Sequence, residues 1–326
     1  MSVPNHLTQL AVVTVNYRSA SDTIECIESL LEADCWPWII VVDNASGDGS
    51  SQRIIDWARN NRKVCDSFAV RDARSSPAPL DALLTLVCND SNGGFSNGNN
   101  VGLRLALQTE HVETFWLLNN DTKVDRCAAE HIARYFAENT HIGMAGTQVR
   151  LYHNSDHWQL LNGMEFDRWT GAARGIMSGE KTDTHYCAQE VIAKSDFICG
   201  ASMVLSKTFL DEVGLLEERF FLYYEEVDLA FRGRAFPKGF VEKAVVYHKE
   251  GATAGSASNL THRPRSALSE YHHIRSKMIF ARKHLPFMVP IYALQNLIIW
   301  ARRLARRQPA QAKAIVRAIL GLPLQR

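Results

Sequence analysis

Short apolar runs alternate with amphipathic segments along the first half of the chain. The runs at 10–17, 38–46 and 85–90 are apolar over most of their length and end in polar residues. Their apolar residues are continuous, which indicates strands buried on both faces of a sheet. Segment 19–33 has apolar residues at helical spacing, and 47–61 opens a second helix. This order predicts an α/β fold with a mostly parallel central sheet flanked by helices.

The other elements follow from less regular patterns. We expect a surface loop at 66–82, and a polar, glycine-rich turn at 91–100 that leads into a helix. Segment 114–121 predicts a fourth strand, and 219–236 an aromatic strand, an acidic turn and a helix. Residues 150–195 are rich in glycine and polar residues, which indicates irregular strands and loops. Further strands are predicted in 142–151, in 196–214 with a helix after it, and in the segment that ends at His248.

Charge divides the chain into two parts. Residues 262–326 contain thirteen Lys or Arg and one acid, Glu270, so they carry +12, and the rest of the chain carries −11. We therefore expect a first domain in 1–260 and a basic helical C-terminal extension in 261–326.

The apolar stretch 285–300 is followed directly by "RRLARR". It is shorter than the roughly 20 residues that a membrane-spanning helix needs. Two interpretations remain open. The stretch is either a helix that lies in the interface of an anionic membrane, or a core-packing helix with a solvated basic end.

Composition indicates a folded protein of the cytoplasm. The chain is 46% hydrophobic and 22% charged, as in ordinary globular domains. Its seven cysteines have no zinc-like spacing, which favours free thiols in a reducing compartment. The N-terminal residues lack the basic and apolar regions of a signal peptide. We expect a cytoplasmic protein, whose tail contacts the inner face of the plasma membrane if the first of the two interpretations of 285–300 holds.

Polar clusters follow four of the predicted strands. They begin at Asn16, at Asp43, at Asn89 and at Asn119. In open α/β sheets, ligands bind at the carboxyl ends of the strands. A single acid at such a place is usually a turn or helix cap, but four clusters in succession predict a ligand site.

Six motifs in order resemble those of family 2 glycosyltransferases. They read VVTVNYRSASDTIECIESL, IIVVDNASGDGS, NGGFSNGNNVGLRLAL, FWLLNNDT, FICGASMVLSKTFLDEVGLLEERFFLYYEEVDLAFR and VVYHKEGATAGS. The resemblance covers residues 10–256 and is closest to the rhamnosyltransferases of bacterial surface polysaccharides. It implies a GT-A fold, an inverting mechanism and a nucleotide-diphosphate sugar donor. It also implies a sugar such as L-rhamnose and a saccharide or lipid-linked acceptor.

The resemblance assigns the donor site. Asp43 matches the carboxylate that accepts the imino N–H of uracil or thymine, a donor group that cytosine lacks. This favours a UDP- or dTDP-sugar. Glycines in the third motif permit a close approach of the backbone to the ligand. The expected donor-binding residues are Asn16, Asp43, Asn44, Ser46, Asn92, Gly93, Gly94, Asn100, Asn120 and Asp121.

The same resemblance assigns a metal site. "NNDT" matches the position where many relatives carry Asp-x-Asp, with Asn119 first and Asp121 last. One carboxylate should hold Mg²⁺ or Mn²⁺ only weakly until the diphosphate supplies its own oxygens. His248 matches a histidine near the phosphates, where it would ligate the metal or donate to a phosphate. Its alternative is an ordinary turn histidine.

The general base is expected in "YYEEVDLAFR". Glu226 occupies the position of the family's usual aspartate, and its longer side chain moves the carboxylate by over an ångström. Glu225 and Asp228 therefore remain rivals. Asp228 is also explained as a partner of the helix dipole.

Two other classes of protein were weighed. A sugar-nucleotide pyrophosphorylase needs a glycine-rich basic segment after the first strand, but "NYRSASDT" has no glycine. A nucleic-acid binder would act through the basic tail, but no recognition module is present, so no nucleic-acid partner is expected. The absence of Gln-x-x-Arg-Trp favours a single transfer. His272 and His273 point about 100° apart on a helix, so they are expected at the surface or beside the acceptor, not on one metal.

Overall fold

The computed structural model describes residues 5–74, 78–249 and 265–324. The expected domain boundary at 260/261 and the end of the last motif, 250–256, lie outside the described residues.

The described residues form thirteen strands and ten α-helices. The strands are β1 (Asn5–Asn16), β2 (Cys35–Asp43), β3 (Phe68–Asp72), β4 (Leu84–Cys88), β5 (Thr114–Leu118), β6 (Thr122–Val124), β7 (Met144–Leu151), β8 (Asn154–Leu161), β9 (Gly163–Asp167), β10 (Ala172–Gly175), β11 (Phe197–Ile198), β12 (Ser202–Ser206) and β13 (Lys238–His248). The helices are α1 (Ala20–Leu31), α2 (Ser50–Asn60), α3 (Gly94–Ala106), α4 (Ala128–Glu138), α5 (Ala188–Lys194), α6 (Lys207–Val213), α7 (Glu225–Arg232), α8 (Ala267–His284), α9 (Val289–Ala305) and α10 (Pro309–Ile319). Two short 3₁₀ helices occupy Cys65–Ser67 and Pro286–Met288.

The large sheet has the order β3-β4-β2-β1-β5-β12-β7-β13-β6, with β8 paired to β7. Strands β3, β4, β2, β1 and β5 run parallel, as do β7 and β13. Strand β12 is antiparallel to both of its neighbours. A second sheet has the order β10-β9-β11. The prediction of a mostly parallel α/β sheet flanked by helices is confirmed.

Helices cover both faces of the parallel strands, which explains the unbroken apolar runs. In β1, Val12 belongs to a core cluster with Ile27 of α1 and Ile132 of α4. Its neighbour Val13 belongs to another cluster with Leu103 of α3. Successive side chains point to opposite faces of a strand, so every position of a doubly covered strand must be apolar.

Three local predictions were wrong. The expected loop at 66–82 contains β3, an edge strand with part of its surface exposed, so its sequence lacks a continuous apolar run. The expected turn at 91–100 is mostly helix, since α3 begins at Gly94. The expected aromatic strand at the start of 219–236 is irregular, and Tyr223 and Tyr224 have φ values of 69° and 70°.

The C-terminal helices pack against the part of the chain that contains the sheets. Phe280 of α8 and Tyr292 of α9 are buried in the same core cluster as Phe166 and Tyr224. The Ser276 hydroxyl donates to the Leu222 carbonyl over 2.9 Å. The core-packing interpretation therefore holds for α8 and for one face of α9. None of the helices among the described residues combines the length and apolar character needed to cross a membrane.

None of the seven cysteines forms a disulfide bond among the described residues. Cys26 is buried, whereas Cys35, Cys88 and Cys199 are only partly buried. The remaining three are exposed: Cys65, Cys127 and Cys187.

Candidate active site

A cavity of about 1460 Å³ opens at the carboxyl edge of the parallel strands. The ends of β1, β2 and β5 border it, together with the first residues of α3 and α7 and one side of α8. Eight predicted site residues line it: Asn44, Asn92, Gly94, Asn120, Asp121, Glu225, Glu226 and His248. The structure does not place the other six in its lining: Asn16, Asp43, Ser46, Gly93, Asn100 and Asp228.

Asp43 lies behind the cavity wall and is surrounded by donors. Parallel pairing places it opposite Asn16, whose Nδ2 donates to Asp43 Oδ1 over 2.6 Å. The Ser46 hydroxyl donates to the same oxygen, and the Ser51 hydroxyl donates to Oδ2 over 2.8 Å. The Ser46 backbone N–H also donates to Oδ2. A base N–H would reach Asp43 only if one of these hydroxyls turned away.

A chain of hydrogen bonds connects this network to the fourth strand end. The Thr23 hydroxyl donates to Asn16 Oδ1 over 2.8 Å and accepts from Asn120 Nδ2 over 2.9 Å. All three side chains are buried. Asn16 therefore does not face the cavity itself. Its hydrogen bonds to Asp43 and Thr23 hold the ends of β1, β2 and β5 together.

Asn44 joins the end of β2 to the start of α3. Its Nδ2 donates to Asn92 Oδ1 and to the Gly94 carbonyl, over 3.0 and 2.9 Å. Asn92 in turn accepts from the Gly94 N–H. Gly94 has a φ of 83°, and a Cβ there would overlap the Phe221 carbonyl. Glycine is thus required where the helix begins beside the cavity.

Asn100 has a structural place. Its Nδ2 donates to the Leu216 carbonyl over 2.8 Å and to Glu218 Oε1 over 3.0 Å, and its Oδ1 accepts from the Leu216 N–H. These bonds use both ends of the buried amide. Its sequence position within the donor motif does not bring it to the cavity.

Asp121 and His248 face each other at the cavity wall. His248 Nε2 lies 3.1 Å from Asp121 Oδ1 and 3.3 Å from Asn119 Nδ2. Its Nδ1 lies 2.7 Å from Gln159 Oε1. Strand pairing explains the meeting, because His248 ends β13 beside Thr122 at the start of β6.

Burial would raise the pKa of Asp121, but the adjacent His248 outweighs this and holds that pKa below its usual value. The carboxylate therefore favours its charged form, as a metal ligand must. Among the described residues, no cluster of three His, Cys, Asp or Glu side chains converges on one point. The pair fits a divalent ion that takes its remaining ligands from other sources.

Glu225 and Glu226 begin α7 and differ in exposure. Glu225 is buried and its Oε2 finds no partner among the described residues. Burial and the neighbouring Glu226 raise its pKa well above the usual value. Glu226 is partly exposed, and burial raises its pKa as well, although the backbone N–H groups of Glu226 and Gly200 oppose this rise.

Asp228 points away from the cavity into a cluster of basic side chains. It accepts from Arg232 Nε over 2.8 Å and from His284 Nε2 over 2.7 Å, and Lys283 Nζ lies 2.8 Å away. Its side chain is fully buried. Burial would raise the pKa of Asp228, but these partners hold it below the usual value. Asp228 ties α7 to α8.

Helix α8 contributes His273, for which a position beside the acceptor was one expectation, and Lys277, which the sequence did not assign to the site. His273 and Lys277 both line the cavity. Burial lowers the pKa of Lys277 to about 8, and its Nζ donates to the Thr170 carbonyl over 2.6 Å. Burial also holds the pKa of His273 well below its usual value. His272, by contrast, stacks on Phe221 at 4.3 Å and is not among the residues that line the cavity.

The chain has a distant relative among proteins of known function. No protein family model matches the chain. Over 228 residues it is 22% identical to Agl10, a low-salt glycan biosynthesis hexosyltransferase of Haloferax volcanii, and the match covers 70% of this chain. The chain spans 62% of the length of that relative.

Two solved structures share the architecture. GalNAc-T7, in a structure with UDP, GalNAc and Mn²⁺, matches with a TM-score of 0.56 and 12% identity, covering 82% of this chain and 47% of that one. The mannosyltransferase PcManGT from Pyrobaculum calidifontis, in complex with GDP-Man and Mn²⁺, gives a TM-score of 0.50 and 13% identity, covering 98% and 89%. The fold is therefore the GT-A fold.

Proposed function

We propose that the protein is an inverting, metal-assisted glycosyltransferase that takes a sugar from a nucleoside-diphosphate donor. One observation carries the proposal. The Asp121–His248 pair and the Glu226 carboxylate line a single cavity at the ligand-binding edge of the sheet. The first can hold the donor's diphosphate end, and the second can accept a proton from an acceptor hydroxyl.

Asp121 and His248 would hold the divalent ion, with diphosphate oxygens and water as its other ligands. When bound, the ion supplies positive charge that offsets the charge developing on the leaving diphosphate. An imidazole ligand favours Mn²⁺ over Mg²⁺, which prefers oxygen ligands. Support comes from the two GT-A neighbours, whose structures contain Mn²⁺. With only two protein ligands, free metal should bind weakly and donor should strengthen its binding.

Glu226 is the base in this proposal. It is partly exposed to the cavity, whereas Glu225 is buried and its raised pKa favours the protonated form, which cannot accept a proton. The raised pKa of Glu226 makes it a better proton acceptor than an exposed carboxylate. Asp228 already accepts hydrogen bonds from Arg232 and His284 and pairs with Lys283. The acceptor hydroxyl would lose its proton to Glu226 as its oxygen attacks the anomeric carbon.

The donor is proposed to be a UDP- or dTDP-sugar, with L-rhamnose as one candidate sugar. The sequence resemblance at Asp43 supports this, provided that a serine hydroxyl turns aside for the base. The acceptor is proposed to be a saccharide or lipid-linked saccharide of bacterial polysaccharide biosynthesis. Aromatic side chains support a sugar acceptor, because Tyr223 and Tyr224 line the cavity beside Glu226.

A donor screen tests the proposal. Purified protein with Mn²⁺ is offered UDP-, dTDP- and GDP-sugars, and release of nucleoside diphosphate is measured together with the anomeric configuration of the product. Glu226→Gln should retain donor binding and lose turnover. Activity confined to GDP-sugars would contradict the donor assignment, and retention of configuration would contradict the mechanism.

The same reactions separate the rival enzyme class. A sugar-nucleotide pyrophosphorylase would release pyrophosphate from a nucleoside triphosphate and a sugar 1-phosphate. Production of pyrophosphate without nucleoside diphosphate release would overturn the transferase proposal.

A further inference from the structure

One face of the segment 286–305 exposes a row of large apolar side chains. We call this row the apolar face of α9; it consists of Phe287, Ile291, Leu294, Leu297, Ile298 and Leu304. Successive members are mostly three or four positions apart, so they lie on one side of the helix. Phe287 is 68% exposed and Leu294 is 60% exposed. A contiguous exposed apolar row of this kind marks an interaction surface.

The opposite side of the same helix packs on the protein. Tyr292 and Asn296 are buried, and the Tyr292 hydroxyl donates to the Arg168 carbonyl over 2.6 Å. Because this side already fixes the helix, the exposed row contributes nothing to the core. Its partner must come from outside the described part of the chain.

Charge indicates the chemistry of that partner. Residues 271–326 contain eleven Lys or Arg and no Asp or Glu. Arg303 is paired with Glu270, but Arg302, Arg306 and Arg307 form no ion pair among the residues that the structure describes. Two copies of this surface would bring like charges together. The complementary partner is both apolar and anionic, which describes an acidic lipid bilayer.

We propose that the apolar face of α9 lies in the interface of an anionic lipid membrane, with the arginines at its end among the headgroup phosphates. Trp169 supports this position of α9 at the membrane. It is 68% exposed on the turn between β9 and β10, and its carbonyl accepts from Gln295 Nε2 of α9 over 2.9 Å. Tryptophan prefers the headgroup level of membranes.

Membrane binding through α9 would also fix how the cavity is oriented relative to the membrane. Thr170 and Gly171, next to Trp169, line the cavity, as does Ile299 of α9. Lys277 connects them, since its Nζ donates both to the Thr170 carbonyl and to Gln295 Oε1. A membrane under α9 therefore lies beside one wall of the cavity. This second step rests on the proposed function, and it favours an acceptor carried on a lipid over a free saccharide.

Vesicle sedimentation tests the apolar part. Full-length protein is mixed with vesicles of phosphatidylcholine alone or with phosphatidylglycerol, without donor or acceptor. Leu294→Glu/Leu297→Glu should bind acidic vesicles at least about tenfold more weakly than wild type. Val70→Glu is the matched control, because Val70 is 45% exposed on the edge strand β3. All these sites are exposed, so circular dichroism should show unchanged folding.

The charged part is tested separately. Arg302→Gln/Arg306→Gln should weaken binding to acidic vesicles by about fivefold per arginine and should not affect binding to neutral ones. Arg59→Gln/Arg62→Gln, exposed on and after α2, should change nothing. Equal binding of wild type to both vesicle types, or none to either, would overturn the proposal.

Two further outcomes are decisive. If wild type dimerises in lipid-free buffer and Leu294→Glu/Leu297→Glu does not, the face is an interface between copies of this chain. The leucine variant should still release nucleoside diphosphate with a water-soluble acceptor. Vesicle binding without any transferase activity would refute the proposed function alone.

Discussion

Gly200 controls the position of the Glu226 carboxylate. A Cβ at residue 200 would lie 2.6 Å from Glu226 Oε1. The φ of Gly200 is outside the left-handed region, so alanine fits the backbone. The atom that it would meet is the end of a flexible side chain. Gly200→Ala should therefore move the carboxylate without disturbing the fold.

The size of the effect follows from the distance. Ordinary contact begins at 3.4 Å, so the oxygen must retreat by about 0.8 Å. A misplacement of about 1 Å can reduce a rate by about 100-fold, or about 2.7 kcal/mol in activation free energy. We expect kcat to fall by about 10- to 100-fold with an unchanged donor KM. Unfolding free energy should change by only about 1 kcal/mol or less, because Gly→Ala here acts mainly on the unfolded chain.

The assay is nucleoside diphosphate release at saturating donor, with thermal unfolding as the check on folding. Glu226→Asp in the Gly200→Ala background supplies the internal control, because the shorter side chain withdraws from the added methyl group. The double variant should be more active than the two single losses would give if they were independent. A Gly200→Ala enzyme with wild-type kcat would refute the assignment of Glu226 as the base.

Three other variants test residues around the cavity. Glu225 has a raised pKa, so its contribution to stability is present below about pH 4.5 and is lost as pH rises through its higher folded pKa. In urea titrations, the unfolding free energy of Glu225→Gln should match that of wild type in acid and exceed it at neutral pH. Asp228→Ala should lower the unfolding free energy by about 3–5 kcal/mol, since Arg232 would be left without its buried partner; a loss below 1 kcal/mol in urea titrations would contradict this. Asn100→Ala should cost about 1–3 kcal/mol of unfolding free energy and leave the donor KM unchanged, and a large KM increase would restore Asn100 to the donor site.

The sequence predicts the buried part of the sheet well because burial on two faces leaves a strong pattern. Strands β2 and β5 and the second half of β1 are apolar runs that were predicted, whereas the first half of β1, at 5–9, is mostly polar and was missed. The start of α3 was missed because it is rich in glycine and asparagine, which have low helix propensity but permit close packing. A Cβ at Gly98 would lie 2.8 Å from Val15 Cγ1, and Gly102 meets Val13 in the same way. Glycines that let a helix approach a strand look like a turn in the sequence.

The site was predictable where one short motif contains both the position and the chemistry. Asp121 and Glu226 are of this kind, and both line the cavity. Lys277 and Gln159 reach the cavity from α8 and β8, and no local pattern marks a residue that becomes important through distant packing. The adjacent histidines His272 and His273 did draw attention to α8 in the sequence, although only His273 lines the cavity.

The burial of Phe280 and Tyr292 in the main core has a consequence for synthesis of the protein. A ribosome delivers the strands of the sheet before it delivers α8 and α9. Until those helices emerge, Phe166 and Tyr224 lack the ring of Phe280, and the cavity has no wall on the side of Lys277. The nascent chain therefore carries the strand ends that border the cavity first and completes the cavity last, when the surface proposed to meet the membrane is also made.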